Sequence, residues 1–74
     1  MKWKHYIRRG LRPLYHADIC ISKKDAFLQV YDVSDGGWML IFALKCKDEA
    51  EAVEIMHGFV HGLEYTGVYW EQVD

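Results

Sequence analysis

The chain has little of what would place a small protein at once. Its two cysteines, Cys20 and Cys46, form no close pairing motif. On strands separated by a third they are out of disulfide reach, because neighbouring strands lie about 4.8 Å apart. Two free thiols are therefore expected, which suits a reducing compartment. The longest apolar run is the seven residues Trp38 to Leu44, far below the roughly 18 that a membrane-spanning helix needs. The N-terminal stretch MKWKHYIRRGL is basic but has no apolar segment of the signal-peptide kind. A cytoplasmic protein with no membrane association is expected. Repeats, low-complexity tracts and linkers are also missing, and 74 residues suit a single domain spanning 1–74.

Catalytic equipment is equally scarce. No Gly-rich phosphate loop follows a strand, and there is no nucleophile elbow or paired-carboxylate cleft. A sheet of this size with one helix leaves little room for a pocket of several hundred Å³. Neither enzyme activity nor a cofactor is expected. His16 and Asp18 share one strand face, the minimum for a base and its orienter, but such a pair is commonplace.

What is present is an ordinary globular composition, 51% apolar and 27% charged. A core this small often leans on a staple, a metal or a second subunit. The net charge of −2 hides an asymmetry. Lys2, Lys4, Arg8, Arg9 and Arg12 carry all the charge of residues 1–12, whereas the remainder has four basic and eleven acidic side chains. A basic end on an acidic body suits contacts with nucleic acid or with an acidic partner.

Hydrophobic periodicity predicts strands over 2–8, 14–22, 26–33, the run GWMLIFALK (37–45) and 66–73, although Trp3, Ile7 and Leu11 also suit a short helix at the first. Ser34-Asp35-Gly36-Gly37 predicts a tight turn. Between the last two strands the period becomes helical. Asp48 is a predicted N-cap, Glu49 and Glu51 suit the first turn, and Gly62 is a stop signal. Ala52, Val53, Met56, Phe59, Val60 and Leu63 fall on one helical face. The fold class is therefore α+β: four to five mainly antiparallel strands with one helix on one face, in the order β-β-β-β-α-β.

An unbroken apolar run such as GWMLIFALK implies that both faces of its strand are covered, but only one helix is available. A three-residue loop at Lys23 and a closed SDGG turn put Tyr15, Phe27, Tyr31, Trp38 and Phe42 on one face. This bulky face is the expected core beneath Met56, Phe59 and Leu63. The second face then has an aliphatic centre, Leu28, Val30, Met39 and Ile41 with Cys20. Its rim is polar, His16, Asp18, Asp32 and Lys45, which is the anatomy of a protein interface. Trp70 is a further expected anchor.

Glu54, His57 and His61 lie one turn apart on the helix, a spacing that can bind zinc. Their flank is polar and reads more simply as a solvated helix face, so no native metal site is expected. The leading expectation is a non-enzymatic protein-binding module of inhibitor or antagonist type. It would be a homodimer in isolation. A phage or mobile-element origin, with a host enzyme or defence complex as target, would fit its size. The alternative is a nucleic-acid-binding regulator using Lys2, Lys4, Arg8, Arg9 and Arg12 for phosphate contacts, with Trp3, Tyr6, Tyr69 and Trp70 as stacking partners.

Overall fold

A computed structural model describes residues 1–9, 14–59 and 69–73. Five strands and one helix follow in the expected order: β1 (Lys2–Arg9), β2 (Tyr15–Ile21), β3 (Ala26–Asp32), β4 (Met39–Cys46), α1 (Glu49–Phe59) and β5 (Tyr69–Val73). They form one antiparallel sheet in the spatial order β4-β3-β2-β1-β5. The helix packs across β2, β3 and β4. Residues 60–68, which include Val60, His61, Gly62 and Leu63, lie outside the described residues, as do 10–13.

Local chemistry accounts for each boundary. The Asp48 carboxylate accepts the Glu51 N–H at 2.9 Å, and Glu51 reaches back to the Lys47 N–H at 2.9 Å. This reciprocal capping satisfies donors that the first helical turn leaves free. The SDGG segment turns through a Gly36 N–H to Val33 carbonyl bond of 3.3 Å, with Gly36 at φ 81°. That left-handed conformation costs a Cβ-bearing residue roughly 1–2 kcal/mol. Gly36→Ala should therefore lower stability by about that amount in urea unfolding, while Gly37→Ala, with φ outside that region and open space around it, should change it little.

The structure keeps the expected helix side of β2 but turns β3 over, so Leu28 and Val30 face the helix in place of Phe27 and Tyr31. The loop between β2 and β3 contains four residues, so Ile21 pairs with Ala26 and not with Phe27. Ser22 closes it, donating its N–H to the Asp25 carbonyl at 2.9 Å and its hydroxyl to the Asp25 carboxylate at 2.6 Å. Between β3 and β4, Tyr31 pairs with Leu40 as expected, but Val30 pairs with Phe42. Ile41 is the extra residue of a β-bulge. Each one-residue shift moves a whole side-chain set to the opposite face.

The helix consequently covers the aliphatic face. Ala17, Ile19, Ala26, Leu28, Val30, Cys46, Ala52 and Met56 form the buried core. Leu28 and Val30, expected at an interface, are fully enclosed there. Of the five aromatics expected in the core, Tyr15 and Phe42 are on the helix side, where both meet Phe59, with ring centroids at 5.1 and 5.4 Å. Phe27 and Tyr31 are on the helix-free face, and Trp38 packs against Tyr31 there. Val53 and Ile55 also pack against the core. Both cysteines are free thiols on strands separated by β3, as expected. Burial pushes the Cys46 thiol pKa up.

Candidate interaction surface

Among the described residues, strand β4 lies at the edge of the sheet and pairs with β3 alone. Helix α1 reaches it, yet most of its side chains remain exposed: Trp38 just before it is 62% exposed, Met39 68% and Leu40 51%, followed by Ile41 and Leu44. Here the unbroken apolar run finds its physical reading. β4 is not a strand covered on both faces; it is an apolar edge whose side chains stay open on both sides. An edge strand also presents a row of backbone N–H and C=O groups without a neighbour, which natural proteins usually blunt with charge or proline. Lys45 is the one charged residue within β4, and it leans on Asp25 at 3.5 Å.

The helix-free face continues this apolar edge. Its side chains run from Leu40 and Ala43 through Phe27 and Tyr31 to Cys20, His16 and Asp18, then to His5 and Trp3. Trp38 folds back onto it, meeting the His16 ring edge-on at 4.6 Å and Tyr31 at 5.3 Å. Beside Trp38 is a shallow cavity of about 170 Å³ between Asp32, Asp35, Gly37 and Met39. The Asp32 carboxylate accepts the Ser34 N–H at 2.8 Å, and that bond lowers its pKa.

Of the expected interface residues, Met39 and Ile41 are exposed at the edge, whereas Leu28 and Val30 belong to the core. Trp70 is partly buried against that core, on the helix side, and is not a free anchor. Trp3, Phe27, Trp38 and Leu40 are exposed in their place. No local signal singles them out, because the strand registers set the faces of Trp3 and Phe27.

The basic cluster is divided. Arg8 is buried beneath the Tyr15 ring, its guanidinium carbon 5.1 Å from the ring centroid. Lys4 is bound to Glu49 of the helix at 2.5 Å, and this hydrogen bond raises the lysine pKa. Lys2 is exposed, and Arg12 lies outside the described residues along with the environment of the Arg9 side chain. Glu54 and His57 are exposed on α1, and His61 falls outside the described residues, so the helical zinc set is not assembled among them.

One cluster that the sequence only half revealed is complete in the structure. His5 joins His16 and Asp18, because the β1–β2 register sets His5 directly across from Asp18. His5 Nδ1–H and His16 Nε2–H both donate to Asp18 Oδ1, at 2.6 and 2.7 Å. Among the described residues no helix is long and apolar enough to cross a membrane. The chain matches no family model, no curated protein and no solved structure.

Proposed function

We propose that this chain is a non-enzymatic protein-binding module that docks through the β4 edge and the adjoining helix-free face. The observation that carries this reading is the contiguous exposure of Trp38, Met39, Leu40 and Ile41 on an unpaired edge strand. Strand addition gives such an edge main-chain hydrogen bonds for affinity and alternate side chains for specificity. Apolar patches of this kind on small soluble domains mark interaction sites.

In isolation the first partner is a second copy. Two antiparallel β4 strands about a two-fold axis would extend the sheet, with the same patch used on both sides. The strand has one lysine near its end and no acid, so pairing about its middle sets no like charges opposite each other. Light scattering should report a dimer at high protein concentration, and Leu40→Asp should weaken association by tenfold or more, since central apolar anchors dominate such interfaces. The variant should keep its circular dichroism spectrum. A wild-type chain that stays monomeric, and whose capture of partners ignores Leu40→Asp, would overturn the reading.

The inhibitor or antagonist role, a cytoplasmic setting and a phage or mobile-element origin extend this proposal from size and class alone. A pull-down from the native host, wild type against Leu40→Asp, tests them. Nucleic-acid binding has less support: Arg8 is buried and Lys4 is held by Glu49, which removes two of the five cations expected to neutralise phosphates.

A further inference from the structure

The His5, His16 and Asp18 cluster lies on the helix-free face, on β1 and β2, with Trp38 packed against His16. His5 comes from β1, and His16 and Asp18 from β2, on one face of a directly paired ladder. One donor atom from each, an imidazole nitrogen or a carboxylate oxygen, lies within 4.8 Å of the other two. The His16 and Asp18 side chains are mostly covered, whereas His5 is open to solvent on one side.

We propose that these three residues form a binding site for a divalent first-row transition ion, with zinc as the expected occupant. Two imidazoles and one carboxylate suit zinc-class ions, whereas magnesium and calcium take oxygen ligands. Three protein ligands leave a fourth tetrahedral position for water or another exchangeable group. That position opens onto the helix-free face, on the side where His5 is exposed.

The geometry is close to what an ion needs. Donors held about 2.0–2.2 Å from a tetrahedral zinc stand roughly 3.3–3.5 Å apart. The two hydrogen bonds to Asp18 are 2.6 and 2.7 Å, so entry requires each imidazole and the carboxylate to part by less than about 1 Å. Rotation of the open His5 ring and of the Asp18 carboxylate can supply this. On binding, the hydrogens on the nitrogens that face Asp18 are given up to solvent, as ligation by imidazole requires. The freed lone pairs and the carboxylate oxygen then face the ion.

Two further features favour an ion site over a simple hydrogen-bonded strand pair. Two imidazoles converge on a single carboxylate oxygen, where tying β1 to β2 would need only one. The His16 ring is also braced, by Trp38 packed edge-on against it at 4.6 Å. Bracing of this kind keeps donors near a productive geometry before the ion arrives.

Titration of tag-free, chelator-stripped protein with Co²⁺, followed by Zn²⁺, tests the site. One Co²⁺ per chain should bind with visible d–d absorption and be displaced by Zn²⁺. His16→Gln and Asp18→Asn should each weaken binding at least tenfold, since loss of even an outer-shell partner costs 10–100-fold. His57→Gln combined with His61→Gln should leave it unchanged. In the unmutated chain, nuclear magnetic resonance should show Co²⁺ broadening the His5 and His16 ring signals first, a readout that does not depend on how the variants fold. Absence of saturable Co²⁺ binding would overturn the proposal. So would binding that survives His16→Gln and disappears with the helix histidines.

Discussion

Leu28→Ala should cost about 2–5 kcal/mol of folding stability, and Phe27→Ala, one residue away, only about 1 kcal/mol. Leu28 is 0% exposed beneath the helix, while Phe27 is 39% exposed on the opposite face. Truncating Leu28 removes its transfer energy and leaves a cavity among Ile19, Val30 and Met56 that the sheet cannot easily close. A small domain has only about 5–15 kcal/mol of total stability, so Leu28→Ala should shift the urea midpoint strongly or abolish the folded state. Equal costs at the two positions, or a larger one at Phe27, would mean that the helix covers the aromatic face after all. The comparison therefore tests the register of β2, β3 and β4 directly.

Arg8→Glu should be the second severe change, with an expected loss of about 3–5 kcal/mol. Arg8 is 2% exposed, and its Nε and Nη1 atoms have no hydrogen-bond partner among the described residues. The Tyr15 ring face that receives its guanidinium attracts cations and repels a carboxylate. A buried glutamate at this position would lose hydration and set a negative charge against that ring face. Arg8→Met, similar in length and uncharged, should retain most of the stability, because an apolar side chain avoids the desolvation penalty. Lys2→Glu, on an exposed side chain of the same strand, should change stability by less than about 0.5 kcal/mol. Chemical denaturation of the three variants separates a structural arginine from a surface phosphate contact. The distinction matters for function: a loss of nucleic-acid binding on Arg8→Ala would reflect unfolding as readily as a lost contact, so Lys2 is the cleaner probe.

Much of the architecture was legible in the chain because it is written in local chemistry. Alternation over Tyr15 to Ile21 marks a strand whichever neighbours it meets, whereas residues 2–8 also fitted a short helix until β2 and β5 paired with them. Asp48 with Glu51 starts a helix through bonds made within four residues, and the glycine of the SDGG turn supplies the positive φ that it needs. Element order and fold class follow from those signals. Of the proposed interaction surface, Met39 and Ile41 were legible as parts of an apolar run that a single helix could not cover on both faces. His16 and Asp18 were legible as neighbours on one face, because residues two apart on a strand always share a side.

The tertiary structure decided which face is which. Side chains alternate with a period of two, so a single residue more or less in a loop, or one bulged residue, exchanges core and surface along a whole strand. The Ser22–Asp25 loop and the bulge at Ile41 are two such one-residue choices. Residue types alone did not separate the faces, since both carry large apolar side chains. What separates them is the fit between Ala52, Met56 and Phe59 on the helix and the small and aliphatic floor of Ala17, Ile19, Ala26, Leu28 and Val30. The pairing of His5 with Asp18 came the same way: it joins residues thirteen apart in the chain, and only the β1–β2 register sets them face to face.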